Sequence, residues 1–180
     1  MSTTSEKKVL YTIGHSTRTF KEFVAILRSF SIEQVADIRR FPGSRKFPQF
    51  SKENLEISLP EKSIKYTHFE ALGGRRKSEP NSENTSWRNQ SFKGYADYME
   101  TKAFREAVGK LSRLAAKRNL AIMCSEAVWW RCHRSMISDH FKSKGWKVMH
   151  IMGEEKSREH PYTQPARIIE GELTYKPEKQ

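Results

Sequence analysis

The sequence LAIMCSEAVWWRCHRSMI at residues 120–137 decides the fold class. Its first four residues are a short apolar run, which is typical of a buried strand in a parallel sheet. A polar loop follows, and then Met136, Ile137, His140 and Phe141 recur at helical spacing. Ligands bind open α/β sheets at the carboxyl ends of the strands, where such loops begin. We therefore expect an active site in the loop 124–134.

The remainder of the chain repeats this alternation of strand and helix. Further strands are predicted at 9–13, 34–38, 64–68 and 147–152. Thr19 and Glu22 form a capping box that predicts the start of the first helix. The pattern predicts a single Rossmann-like α/β domain over residues 1–180, with a mostly parallel sheet of about five strands and helices on both faces.

Several boundaries are predicted less directly. A short helix over 51–59 should stop at Pro60, and a long helix over 92–119 should break at Thr101 or Gly109. The polar segment 78–90 is predicted to be a mobile loop. We expect one short strand near 167–175 and frayed ends at 1–8 and 176–180.

The charge balance indicates a polyanionic partner. The 180 residues contain 33 Lys and Arg against 21 Asp and Glu, a formal net charge of +12. Nucleic acid, and DNA rather than RNA, is the expected partner, because neutralising phosphates supplies much of such binding. The alternative is that the charge serves solubility alone. No signal peptide, membrane span or lipidation motif is visible, so we expect a cytoplasmic protein without a membrane partner. The oligomeric state is not predicted.

Residue types that bind phosphate concentrate in the four loops that leave the predicted strands at one edge. The candidates for nucleic-acid or phosphate binding are Gly14, Ser16, Arg18, Arg39, Arg40, Arg45, Lys46, Arg75, Arg131 and Arg134. Neither GxGxxG nor GxxxxGK[ST] occurs. A tight capped turn at 14–16 and a solvated turn at 39–46 remain the plain alternatives.

The same loops carry the candidate catalytic residues, which are Glu126, Asp37, His15, His133 and Cys124. A carboxylate at either acidic position could activate water or stabilise a cation, and a histidine could exchange the proton. Asp37 has an alternative role as the anchor of a neighbouring arginine. Tyr66, Trp129 and Trp130 are candidates for stacking on a base, with core packing as the alternative for the tryptophans.

Two cysteines, Cys124 and Cys132, lie in the key loop. Their spacing fits no standard zinc knuckle, so no metal and no cofactor is predicted. A thiolate nucleophile is an alternative, since a helix start lowers a cysteine pKa. The phosphate-cradling loop of cysteine phosphatases and rhodanese-like sulfurtransferases has Cys-x(5)-Arg, whereas Arg131 is one residue too far and the intervening side chains are bulky.

Four blocks of sequence together resemble one known family. They are Tyr11-Thr-Ile-Gly-His-Ser16, Asp37-Ile-Arg39 with Pro42 and Arg45, Leu72-Gly-Gly74, and Cys124-Ser-Glu126 through Cys132-His-Arg134. This combination resembles the domain of unknown function 488 family. The resemblance implies a small α/β protein whose signature residues meet at one site, and it implies no settled activity. The segment 78–90 and the tail after Met152 lie outside the recognisable blocks.

Three functional hypotheses follow. The first is an enzyme of the DNA-repair N-glycosylase type, or a related hydrolase, that acts on a modified nucleobase. The second is a cysteine-dependent phosphatase or rhodanese-like sulfurtransferase. The third is a nucleic-acid or nucleotide binder without catalytic activity.

Overall fold

The structure, a computed structural model, describes residues 6–180. The strands are β1 (Val9–Gly14), β2 (Gln34–Asp37), β3 (Lys65–His68), β4 (Leu120–Cys124), β5 (Lys147–Gly153), β6 (Lys156–Glu159), β7 (Arg167–Ile169) and β8 (Glu172–Thr174). The helices are α1 (Phe20–Ser29), α2 (Lys52–Glu61), α3 (Gln90–Met99), α4 (Lys102–Lys117) and α5 (Arg134–Ser143). Within this range no helix has both the length and the apolar character that crossing a bilayer requires.

Six of these strands form one sheet in the order β3-β2-β4-β1-β5-β6. Every neighbouring pair is parallel except β5 and β6. The predicted Rossmann-like, mostly parallel α/β fold is therefore confirmed. The sheet has six strands where about five were expected, because β6 adds an antiparallel edge. The tail forms two short strands, β7 and β8, which pair with each other, so the expectation of one strand there was wrong.

Helices cover both faces of the sheet, as predicted. On one face Phe23 and Leu27 of α1 and Leu55 of α2 pack with Val35 and Met123. On the other face α3, α4 and α5 pack through Tyr95, Leu111 and Ile137 against Ile122 and other strand residues. Burial on both faces explains why β2 and β4 consist of continuously buried residues rather than alternating ones.

The predicted helix boundaries need two corrections. Pro60 lies inside the last turn of α2, so it does not stop that helix in advance. The long predicted helix is two helices, and its break is at Thr101, whose side chain caps α4 by accepting from the Phe104 N–H. Gly109, the other expected break, lies within α4.

The segment 78–90 contains turns but no strand, and its contacts tie it to α3. The Asp97 carboxylate accepts from the Glu79 N–H, the Ser82 hydroxyl and the Asn84 amide at 2.5–2.8 Å. The mobility of this segment stays a prediction. Of the ends expected to fray, residues 1–5 lie outside the described residues, and 6–8 and 176–180 form no helix or strand.

Candidate active site

The loops at the carboxyl ends of β2 and β4 surround a cavity of about 250 Å³. It therefore lies at the sheet edge where ligands of this fold class bind. The residues that line it are Arg39, Arg40, Phe41, Gly74, Arg75, Ser91, Phe92, Tyr95, Cys124, Ser125, Glu126, Arg131, Cys132 and His133. Three of the four predicted loops thus contribute candidate side chains to one site.

Asp37 and Arg39 form a buried ion pair at the inner wall of the cavity. The guanidinium donates from Nε and Nη2 to the two carboxylate oxygens at 2.9 and 2.7 Å. The Asp37 carboxylate also accepts from the Arg39 N–H and from the Tyr66 hydroxyl. Burial opposes the charge on Arg39, but the Asp37 carboxylate raises its pKa above the ordinary value. Asp37 is therefore the anchor of Arg39, and Tyr66 is tied to it rather than free to stack on a ligand.

His15 lies behind Arg39 and is nearly inaccessible. Its Nδ1–H donates to the Ser16 carbonyl, which leaves Nε2 as the acceptor that faces Arg39 Nη1 at 3.2 Å. Its ring stacks on Phe50 with centroids 4.4 Å apart. Burial lowers the pKa of His15 to about 4, so the ring is neutral near pH 7 and helps to position Arg39.

Glu126 is exposed at the cavity, and its backbone is held firmly. The Glu126 carbonyl accepts from Arg134 Nη2 at 2.8 Å. A Cβ on Gly14 would lie 1.7 Å from that carbonyl oxygen, so only glycine lets the end of β1 pass the loop. Among residues 6–180, Glu126 is the only carboxylate that lines the cavity. It therefore combines a fixed backbone with an accessible acid.

Cys124 and Cys132 are buried free cysteines whose sulfurs lie 3.1 Å apart. The Arg134 N–H, at the start of α5, donates to the Cys132 sulfur at 3.3 Å. Burial would raise the pKa of Cys132, but hydrogen bonds from Cys124 and His133 and the charge of Arg134 lower it well below its ordinary value. Burial and the neighbouring Cys132 raise the pKa of Cys124. The pair thus favours one thiolate, at Cys132, with Cys124 as its donor.

Arg134 is fully buried behind the cysteines and does not line the cavity. Its guanidinium donates to the Glu126 carbonyl and to the Thr12 hydroxyl. The cysteine sulfurs raise the pKa of Arg134 against the effect of burial. Arg134 therefore holds the loop that carries Glu126 in place. Because it is buried, it does not make the direct contact with a phosphate that was expected.

A buried chain of hydrogen bonds extends from Thr12 to the far side of α5. The Thr12 hydroxyl donates to His150 Nδ1 at 2.6 Å, and His150 Nε2–H donates to His160 Nδ1 at 2.8 Å. His160 Nε2–H in turn donates to the Asp139 carboxylate at 2.8 Å. Burial lowers the pKa of His150 to about 2, which keeps this ring neutral. The chain holds Thr12, and through it Arg134, in one position.

His133 brings a ring into the cavity wall. Its Nε2–H donates to the Ile38 carbonyl at 2.8 Å. A Cβ on Gly74 would lie 2.9 Å from His133 Nδ1, so the loop after β3 approaches this ring closely. This contact explains why the sequence has glycine at 74, next to the basic residue Arg75.

Several other predicted phosphate ligands do not line the cavity. The N–H groups of His15 and Ser16 donate to the Cys124 and Ser125 carbonyls, so the turn after Gly14 is joined to the key loop rather than open to an anion. The Arg18 guanidinium donates to the Gly14 carbonyl. Arg45 and Lys46 are exposed on the loop after β2.

The two tryptophans of the key loop occupy different environments. Trp129 is buried and stacks on His150 with centroids 4.4 Å apart and planes 2° from parallel, so it is core rather than a platform for a base. Trp130 is 50% exposed and lines a second depression next to the cavity.

Sequence reasoning did not identify the aromatic wall of the cavity. Phe92 and Tyr95 both lie in the long helix predicted over 92–119, and neither was predicted to belong to a site. Phe41 lies in the basic turn at 39–46 and is 62% exposed. The one feature of the sequence that could have indicated this role is that Phe92 and Tyr95 follow directly after the polar segment 78–90, near the start of α3.

Among residues 6–180 no group of three His, Cys, Asp or Glu side chains is arranged to hold a metal ion.

The family comparison covers three of the four blocks identified in the sequence, and the block at 11–16 lies before the matched residues. The family model described as domain of unknown function DUF488 matches residues 19–141, which is more than half of the chain and includes the loops that form most of the cavity. No curated protein and no solved structure matches the chain.

Proposed function

The chain belongs to the DUF488 family, and we propose that it is a nucleic-acid hydrolase of the N-glycosylase type that releases a modified nucleobase. The observation that carries the proposal is Glu126, the one carboxylate among the described residues that line the cavity, where arginine and aromatic side chains lie beside it. Arginines suit the phosphates of a nucleotide, and aromatic rings suit its base.

The size of the cavity supports a small ligand group. Its volume of about 250 Å³ lies below the roughly 300–1,000 Å³ of pockets that take drug-sized molecules. Enzymes that act on bases swing the target nucleotide out of the stack into a closely fitting pocket. Phe41 and Phe92 would contact the extruded base, while Arg40, Arg75 and Arg131 would hold the adjoining phosphates.

Glu126 would supply the chemistry. Cleavage of the glycosidic bond leaves its electron pair on the base nitrogen and a cation-like centre at the sugar C1′. The Glu126 carboxylate would stabilise that centre and take a proton from the water that attacks C1′. His133 is the histidine in the cavity wall, and it would donate a proton to the departing base. Asp37 is committed to Arg39, so we assign it a positioning role.

The test is a search for abasic sites. Wild-type protein is incubated with duplex and single-stranded oligonucleotides that carry deaminated, oxidised or alkylated bases, and alkali then breaks the strand wherever a base was lost. We expect breaks with the wild type and a rate lower by about 10²-fold or more with Glu126→Gln. Glu61→Gln, an exposed change on α2, is the control and should react like the wild type. Equal rates for both variants would refute the role of Glu126.

A thiol-dependent activity is the second candidate, and one observation favours it. The Cys132 sulfur accepts the N–H at the start of α5, and its pKa lies well below the ordinary value, owing to Cys124, His133 and Arg134 and against the effect of burial. A phosphatase or sulfurtransferase of this kind should hydrolyse an aryl phosphate or transfer sulfur from thiosulfate to cyanide. Cys132→Ser should abolish that turnover, whereas Glu126→Gln should retain it.

A further inference from the structure

A second depression, of about 740 Å³, lies beside the cavity and carries no acidic residue within the described part of the chain. We call it the tryptophan groove. Its walls include two cations, Arg88 and Arg167. The aromatic residues that line it are Trp87, Phe92, Trp129, Trp130 and Tyr162.

The tryptophan groove is continuous with the cavity. Phe92 lines both depressions, and Trp130 in the groove is followed directly by Arg131 in the cavity. A chain molecule with one unit in the cavity would therefore place its next units in the groove. A further depression also adjoins the cavity, through Arg40 and Arg75, but it contains the carboxylates of Glu79 and Asp97, which would repel a phosphate chain.

Two of the aromatic side chains in the groove are exposed and held in place. Trp130 is 50% exposed, and its ring packs edge-on against the buried Trp129 with centroids 5.5 Å apart. Tyr162 is 37% exposed, with Lys142 Nζ over its ring at 5.2 Å. Contiguous exposed apolar surface with a polar rim indicates a binding site, whereas a single exposed ring does not. Fixed, exposed rings beside cations are the arrangement that binds unpaired bases and their phosphates.

We propose that the tryptophan groove binds the unpaired nucleotides next to the one held in the cavity, with Trp130 and Tyr162 as stacking platforms. Arg88 and Arg167 contact the phosphates; the ion pair of Arg167 with Glu178 is at the surface and can exchange for one. The proposal rests on the proposed action on nucleic acid and adds that the bound strand is single-stranded at this point. Tyr162 and Arg167 lie outside the family match at 19–141.

The test separates base stacking from charge. Fluorescein-labelled oligothymidylate and an abasic oligonucleotide of the same length and charge are titrated with protein, and anisotropy gives Kd. We expect Trp130→Ala to weaken binding of oligothymidylate about 5- to 100-fold. Its affinity for the abasic strand should change less than about twofold, because only stacking is lost. Trp130→Phe should retain most of the affinity, and Tyr162→Ala should repeat the loss.

Ile57→Ala is the matched control, since Ile57 is 65% exposed on α2 and lies in neither depression. Wild-type binding of oligothymidylate by both Trp130→Ala and Tyr162→Ala would overturn the proposal. An equal loss on both oligonucleotides would also overturn it, because charge alone would then explain binding.

These outcomes are distinct from those of the base-excision assay. Base-dependent binding without any excision would support the groove and refute the proposed reaction. Excision with unchanged binding by both Trp130→Ala and Tyr162→Ala would support the reaction and refute the groove. Salt-independent binding of an apolar peptide that blocks the groove would identify a protein partner instead and would contradict the proposal.

Discussion

At the scale of single residues, the Asp37–Arg39 pair positions one wall of the site. Asp37 is fully buried and Arg39 is 8% exposed, and Arg39 also donates to the Phe50 carbonyl at 2.7 Å. The carboxylate and the guanidinium therefore supply most of each other's hydrogen bonds. Such a pair contributes little more to stability than apolar residues would in its place. Removing one partner, however, leaves the other charge buried without compensation.

We expect Asp37→Asn to lower the free energy of unfolding by about 3–5 kcal/mol, because the Arg39 charge would remain buried without its partner. Urea unfolding followed by circular dichroism measures this. Glu56→Gln is the control, since it removes an exposed ion pair with Lys52 and should change the free energy by less than about 1 kcal/mol. A loss below about 1 kcal/mol for Asp37→Asn would show that the pair does not bear on stability.

At the scale of elements, the parallel strands could be predicted from the sequence, whereas the polar edge strand β6 could not. β4 is a continuous apolar run, which the sequence shows directly, and β2 has Val35 and Ala36 between the buried polar residues Gln34 and Asp37. β6 reads Lys-Ser-Arg-Glu and is exposed throughout, so only its pairing with β5 makes it a strand. Local patterns carry no information about such pairing.

The same contrast applies to the site. Parallel strands direct their carboxyl ends to one edge of the sheet. The loop with Arg39 therefore meets the loop with Glu126 and His133 because of the order of the elements. The role of Asp37 as an anchor was one of two readings, and the contacts of Arg39 decide it. The chain from Thr12 to His150 joins residues 138 positions apart, and no local pattern predicts it.

The boundary between α3 and α4 allows a test at the same scale. Thr101 accepts from the Phe104 N–H at 3.3 Å and donates to the Tyr98 carbonyl at 2.6 Å. We expect Thr101→Ala to lower the free energy of unfolding by about 1 kcal/mol, because the first turn of α4 would lose its cap. Thr85→Ala, an exposed change in the segment 78–90, should have no comparable effect in the same urea titration. Equal effects would mean that the cap is not what separates the two helices.

At the scale of the whole molecule, the tail and the segment 78–90 complete the face that carries the site. The Asp139 carboxylate accepts from the Thr163 N–H and from the Tyr175 hydroxyl, which fixes the tail against α5. Tyr175 packs on Trp87 with centroids 5.6 Å apart. The tryptophan groove therefore depends on contacts between three distant parts of the chain.

Buried histidines make the stability of the molecule depend on pH. Burial lowers the pKa values of His15 and His140 to about 4 and that of His150 to about 2. The unfolded chain protonates histidine near pH 6.5, so below that value the unfolded state binds more protons than the folded state. We expect the free energy of unfolding to fall as the pH is lowered from about 6.5 to about 4, by up to about 1.4 kcal/mol per pH unit for each such histidine.

Urea titrations at about pH 7 and about pH 5 measure this loss, in a range where most carboxylates stay ionised. His140→Gln should reduce the loss, because one of the three buried rings no longer takes up a proton in the unfolded state. An unfolding midpoint that is the same at both pH values would contradict the burial of neutral histidines.

The most direct test of the central claim is to detect the free base. Oligonucleotides with modified bases are incubated with wild type, Glu126→Gln and the double variant Cys124→Ser/Cys132→Ser, and mass spectrometry measures the released nucleobase. The account predicts release by the wild type and by the cysteine variant, and a loss of about 10²-fold or more for Glu126→Gln. Release that survives in Glu126→Gln and disappears in the cysteine variant would contradict it.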